Sequence, residues 1–243
     1  MTIKRLFRSS STARALNEWI VKFERIRESP FRTIVSEIDK ANISVILDVG
    51  ANIGQFGVDI RRYGYKGQIV SYEPVEEIFA SLLKTSSKHQ PWNAFQLGLG
   101  SIESTELINV SGNSGLSSSL LKMKPVHVEN FPDSKVVYSE TIQISTVDTQ
   151  LSNLGFSPEN VFLKIDVQGF ESSVLRGAAI SLSKIPLCFL EVSLIPLYEE
   201  EVTLLPILNY LQNSGHEVIN IFQGIRGKNG RLLQLDILTK LSS

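Results

Sequence analysis

The chain has 243 residues, 42% of them apolar and 20% charged, with 24 basic and 25 acidic side chains and a formal net charge of −1. That length and balance suit one α/β domain with an N-terminal extension. They argue against bulk electrostatic binding to nucleic acid, which needs a dense cationic footprint.

The first residues are basic, with Lys4, Arg5, Arg8 and Arg14 ahead of the first acid, Glu18. They contain no apolar core of the secretory type, and no run in the chain reaches the ~20 apolar residues of a membrane span. The segment reads as the frayed start of a surface helix in a cytoplasmic protein, with an organellar presequence as the alternative. Leu16, Trp19, Ile20, Phe23 and Ile26 recur at helical spacing and predict a helix over Thr12 to Glu28. Pro30 interrupts it, and a second helix follows over Phe31 to Lys40. Residues 1–43 thus read as a helical extension and residues 44–243 as the main domain.

From Ser44 the pattern changes. Val45 to Val49 is a short β-rich run, Gly54 to Tyr63 reads as a helix, Gln68 to Tyr72 as a strand, Val75 to Lys88 as a helix and Ala94 to Leu97 as a third strand. Strands alternating with helices at this spacing predict a mostly parallel sheet with right-handed crossovers. Leu107 to Val110 and Glu140 to Ser145 read as strands around a polar, serine-rich insert, which is long for a structureless loop. Strand and helix then alternate again through Val161–Ile165, a helix from about Ser172, Leu187–Val192 and Val202–Ser214. Glu217–Phe222 and Leu232–Leu238 close the chain as an antiparallel hairpin. Cys188, the single cysteine, sits in the apolar run Leu187-Cys188-Phe189-Leu190 and reads as a buried, inert thiol.

Directly after the first strand stands Asp48-Val49-Gly50-Ala51-Asn52-Ile53-Gly54. Ligands of open α/β sheets bind at the carboxyl ends of strands, and glycine there admits a close backbone approach. The spacing is not that of a dinucleotide fingerprint, and no lysine follows to make a phosphate loop. Glu73 ends the second strand, with Pro74 behind it, and an acid at that position accepts hydrogen bonds from both ribose hydroxyls. Gly98-Leu99-Gly100 ends the third and offers a flat border for adenine. Three loops in register describe a nucleoside site without a phosphate anchor. S-adenosyl-L-methionine (SAM), adenosine joined to a cationic amino acid, is such a ligand; Asp48, Gly50, Ala51, Asn52, Gly54, Glu73, Pro74, Gly98, Leu99 and Asp166 are the expected cofactor residues.

Val-Ile-Leu-Asp-Val-Gly-Ala-Asn-Ile-Gly (45–54) and Phe-Leu-Lys-Ile-Asp-Val-Gln-Gly-Phe-Glu (162–171) resemble the two signature motifs of the FkbM-type methyltransferases. Ser145-Thr146-Val147-Asp148, Leu190-Glu191-Val192-Ser193 and Tyr198 fit the same pattern, so the resemblance spans roughly Val45 to Tyr198. It implies a Rossmann-like SAM-methyltransferase fold: a mostly parallel seven-stranded sheet with an antiparallel last strand and helices on both faces. It also implies O-methylation of a hydroxyl on a saccharide or polyketide-type natural product, a small-molecule or saccharide acceptor. Gln168 departs from the glutamate that many relatives carry.

An aliphatic alcohol gains from a general base that removes its proton during attack. Lys164, Asp166 and Gln168 alternate, and share a face if the strand continues that far. Asp166 is the preferred base; holding SAM or the acceptor is its other reading. Glu191, in an apolar strand, needs a partner, and a buried pair with Lys164 is as reasonable as a direct catalytic role for these two. Glu171 reads as a first-turn acid that complements the helix dipole or as a site residue. Gln168, Glu171, Ser117, Ser119 and Tyr198 are the expected acceptor contacts, and His127 is a weaker base. No spacing signature for a metal is present. A non-catalytic binding protein on the same fold is the alternative reading.

Overall fold

The computed structural model describes residues 29–242. The helix expected over Thr12 to Glu28 lies outside them. In chain order the elements are α1 (Pro30–Lys40), β1 (Val45–Val49), α2 (Gln55–Arg62), β2 (Gln68–Tyr72), α3 (Glu76–Ser86), β3 (Trp92–Phe95), β4 (Gly98–Leu99), β5 (Ser104–Ser111), α4 (Pro125–Asn130) and β6 (Val136–Ser145). There follow α5 (Val147–Leu154), β7 (Val161–Ile165), α6 (Glu171–Arg176), β8 (Leu187–Ser193), α7 (Leu204–Asn213), β9 (His216–Gln223) and β10 (Gln234–Leu241).

Seven strands form the main sheet in the order β3-β2-β1-β7-β8-β10-β9. β10 runs antiparallel to both of its neighbours, and the other pairings are parallel. β1 and β7 are buried at every position, as central parallel strands must be when helices cover both faces. Alternate residues divide between two cores. Leu47, Val49, Tyr72, Leu163, Ile165 and Leu190 face α5, α6 and α7. Ile46, Ile69, Phe162 and Leu187 face Ile34, Val35 and Ile38 of α1, Phe56 and Ile60 of α2 and Leu82 of α3. The second helix of the expected extension therefore packs on this face of the sheet. Cys188 is buried, as its setting predicts.

The chain winds outward from β1 to β3, then returns to lay β7 against the other side of β1. The carboxyl ends of β1 and β7 are thus the place where strand order reverses, the usual ligand crevice of such sheets.

A second, three-stranded sheet, β4-β6-β5, stands beside this rim. Local periodicity does not reveal it. The third strand of the main sheet starts at Trp92 rather than Ala94, and Gly98-Leu99 leaves that sheet to pair with Ile144 and Ser145. Ile108, Val110, Ile142 and Ile144 pack with Val75 and Ile78 into a small core of their own. The serine-rich insert is ordered from within. The Ser111 hydroxyl donates to Asn113 Oδ1 and accepts from the Ser117 amide, while Asn113 Nδ2 donates to Ser117 Oγ.

Candidate functional site

At the crevice lies a pocket of about 690 Å³, its open mouth included. Three segments from the main sheet's rim meet in its wall: Gly50 and Asn52 after β1, Glu73 and Pro74 after β2, and Asp166 to Gln168 after β7. Gly98 and Leu99 of β4, Ile108, Ile142 and Ile144 of the small sheet, and Gly115, Leu116 and Ser118 to Leu120 of the insert complete it. Gly50 is required on two grounds. Its φ is +72°, and a Cβ there would lie 1.8 Å from the Asp166 carbonyl oxygen, so a side chain would push the β1 and β7 loops apart. At Gly98 a Cβ would stand 2.5 Å from Ile144 Cδ1.

Glu73 is almost fully buried and is fixed by main chain: one oxygen accepts the Asn52 amide at 3.0 Å, the other the Val75 amide at 3.0 Å. Burial pushes its carboxyl up to about 7, partly offset by those two amides. Each oxygen keeps a lone pair for a further donor. Asp166 is the second carboxyl of the wall, with 39% of its side chain exposed.

Behind the wall runs a buried polar line. Asp48 and Lys164 are opposite one another in the β1–β7 register, and their side chains pair at 3.0 Å. Ser71 Oγ donates to Asp48 Oδ2, and Trp92 Nε1 donates to Ser71 Oγ, both at 2.9 Å. Lys164 Nζ also donates to the carbonyls of Val49 and Gly50 and lies 3.8 Å from Asp166. Burial acts to depress the Lys164 pKa, but Asp48 and Asp166 outweigh it, so the group stays charged.

Several expected site residues therefore stand elsewhere. Lys164 pairs with Asp48 rather than with Glu191, because the register sets it beside β1's acid while Phe189 is its β8 neighbour. It supports the floor and has no face in the pocket. Asp48 is fully buried below the wall, Ala51 is buried in the α1–α3 core, and Gly54 caps α2 against Leu82 and Trp92. Glu171 folds back over its own turn, where one carboxylate oxygen accepts the amides of Val167 and Gly169 at 3.1 Å. Burial raises its carboxyl to about 8. Ser117 and Tyr198 are buried behind the insert, with the Tyr198 hydroxyl donating to Ser117 O at 3.2 Å. Ser119 does reach the wall, but its hydroxyl is engaged by Gln168 O at 2.6 Å. His127 is buried against Tyr198, and burial lowers its pKa to about 4, so it is neutral and away from the pocket.

Glu191 finds its partners in amides. Gln168 Nε2 and Gln234 Nε2 each donate to it at 2.9 Å. Burial, with Asp166 and Asp236 close by, pushes its carboxyl well above the ordinary range. Gln168 itself is in the left-handed region, φ 54°. The strand ends at Ile165, so Gln168 does not extend the alternation of Lys164 and Asp166. The turn instead sends its side chain back onto Asp166. The contribution of Tyr72 and of the small sheet's isoleucines to the wall was not foreseen. The tyrosine next to Glu73 is the local cue for the first; the second depends on pairing distant in sequence.

The donor set fits a cationic nucleoside. Among the described residues the wall holds two carboxyls, Glu73 and Asp166, and neither a lysine nor an arginine. A phosphate would find no counter-charge there, whereas a sulfonium and an ammonium would. Glu73 retains acceptors for a diol, and Leu99 and the isoleucines offer apolar faces for a base.

A family model described as the methyltransferase FkbM domain matches residues 48–218. The chain belongs to the FkbM methyltransferase domain family. SAM is the cofactor of that family. The FkbM chain is also 32% identical over 146 residues to Methyltransferase 1 of Beauveria bassiana (strain ARSEF 2860), a match covering 55% of this chain and 58% of that protein. Among solved structures it is similar to Aeropyrum pernix fibrillarin with natively bound SAM, at 13% identity, 82% and 67% coverage and a TM-score of 0.45. The magnesium protoporphyrin IX methyltransferase of Synechocystis PCC 6803 with bound SAM gives 11% identity, 90% and 83% coverage and a TM-score of 0.45. Likenesses at that level do not say what this chain methylates.

Proposed function

We propose that this chain is a methyltransferase that moves the methyl group of SAM to a hydroxyl oxygen of a saccharide or polyketide-type natural product, with Asp166 as the general base. The observation that supports it most is the pair of carboxyls, Glu73 and Asp166, in a wall that among the described residues is lined by neither lysine nor arginine. When bound, SAM supplies an electrophilic methyl on a positively charged sulfur. Glu73 accepts the two ribose hydroxyls with the lone pairs its backbone contacts leave free. Asn52 and the insert border the mouth, joined by a 3.3 Å bond from Asn52 Nδ2 to Ser114 O. Asp166 accepts the proton of the acceptor hydroxyl as the oxygen attacks, with the Lys164 ammonium 3.8 Å from it. Lys164 acts on Asp166 through its charge and Glu191 through the Gln168 amide they share, rather than by touching the acceptor.

The acceptor is a small molecule or saccharide rather than a nucleic acid, in keeping with the net charge of −1. Among the described residues no helix is long and apolar enough to cross a membrane; we place the protein in the cytoplasm, with residues 44–243 as the methyltransferase domain.

The test is methyl transfer from isotopically labelled SAM to a panel of hydroxylated acceptors. The labelled methyl is expected on oxygen, and Asp166→Asn should cut turnover by about 10²–10⁴ while weakening SAM affinity by about tenfold or less. Label appearing on nitrogen, or equal loss of turnover and SAM affinity, would refute the assignment.

A further inference from the structure

We propose that Gln168 is the positioning residue of the site: its side-chain amide ties Asp166 to Glu191 and hangs both from the buried Tyr198. The inference rests on the reading that the pocket takes SAM. Nε2 donates to Asp166 Oδ1 and to Glu191 Oε2, each at 2.9 Å. Oε1 accepts the Tyr198 hydroxyl at 3.2 Å, sharing its one proton with Ser117 O at the same distance. The orientation of the amide follows from its neighbours, since a flipped carbonyl would face two carboxyls that have no proton to give when ionised.

A primary amide is the side chain with two N–H groups on one atom and an acceptor beside it, so it joins two carboxyls to a hydroxyl without a charge of its own. A glutamate at this position matches the shape and loses both donors when ionised. It also adds a like charge to a crowded site. Asp166 is faced by Lys164 from β7, Glu191 from β8, Asp236 from β10 and Glu171 from α6. Three other carboxyls thus stand near Asp166 beside one ammonium, and Asp48 claims the nearer contact with it. Gln168 therefore determines where the Asp166 carboxyl points. Its own main chain is pinned in the left-handed turn by Ser119 Oγ, which donates to Gln168 O at 2.6 Å. The insert is thus joined to the base through one residue.

SAM and its demethylated product S-adenosyl-L-homocysteine differ by one positive charge at sulfur, so their affinity ratio reads the negative charge facing that sulfur. Both probes are titrated calorimetrically against the wild type, Gln168→Ala and Gln168→Glu at one pH. In Gln168→Ala the ratio should fall roughly three- to tenfold while affinity for the demethylated product changes little, because Asp166 is no longer held toward the pocket. In Gln168→Glu, which keeps the shape and loses both donors, the ratio should also move by about threefold or more. If Gln168→Ala fails to fold, the isosteric glutamate variant carries the test alone. A residue that merely packs would weaken both probes together in either variant, or leave the ratio unmoved, and that result overturns the proposal. If the wild type binds neither probe, the cofactor reading of the pocket itself fails and the inference falls with it.

Discussion

The two acidic ends of the pocket are held by different means. Glu73 is fixed by two backbone amides from residues 52 and 75, so nearby main chain does the work. Asp166 is held by side chains: Lys164 below it, Gln168 beside it, and Glu191 and Tyr198 beyond. Main-chain donors follow from the turn and persist when surrounding residues change. A side-chain network is tunable, and each of its members is a place where it can be broken. The rigid end suits the constant part of the ligand and the adjustable end suits the chemistry.

The largest expected effect comes from the ion pair that underlies both ends. Lys164→Met leaves Asp48 buried without its counter-charge and should cost about 3–5 kcal/mol, read as the shift in a urea unfolding curve. An effect below about 1 kcal/mol would mean that Asp48 finds other partners. Glu73→Ala should weaken SAM binding by about 1–3 kcal/mol, roughly 5- to 150-fold in Kd by calorimetry, while the fold is retained.

Those two residues were legible to different degrees. Glu73 could be found because an acid at the end of a β-strand followed by Pro74 is a local pattern. Likewise, the glycine turn after β1 and the paired motifs located the rim and the seven-stranded sheet. Lys164 was seen as an interior charge, but its partner was not, since only strand order decides whether Asp48 or Glu191 lies alongside. The insert misled for a related reason. Ser117 and Ser119 look like free hydroxyls for a sugar, yet Asn113 and Gln168 take them up through contacts that the chain closes only when folded. The small sheet depends on β4 pairing with β6 across more than forty residues, a separation that periodicity cannot sense.

The pH response sharpens the contrast. The Glu171 carboxyl has an ordinary value of 4.5 and is raised to about 8 by burial. Between those values the folded chain holds a proton that the unfolded chain has lost. The group's stabilising contribution is complete below about pH 4.5 and is lost as pH rises through about 8, with a slope of up to about 1.4 kcal/mol per pH unit. Glu171→Gln keeps an acceptor for Val167 and Gly169 and removes the buried charge. It should flatten this slope and raise the melting temperature at pH 8.5, measured by thermal unfolding from pH 5 to pH 9. An unchanged slope would contradict the assignment.

The smallest expected effect is at the joint between insert and rim. Ser119→Ala leaves Gln168 O without its donor and should cost about 1 kcal/mol of stability, with SAM affinity nearly unaltered. A large loss of affinity would show that the insert also holds the rigid end.

The account is tested most directly by a crystal structure of the protein with S-adenosyl-L-homocysteine. It predicts one molecule at the β1–β7 crevice, the ribose diol on Glu73 and the sulfur turned toward Asp166. A ligand bound elsewhere, or one lying in the crevice with Glu73 uncontacted, would contradict it.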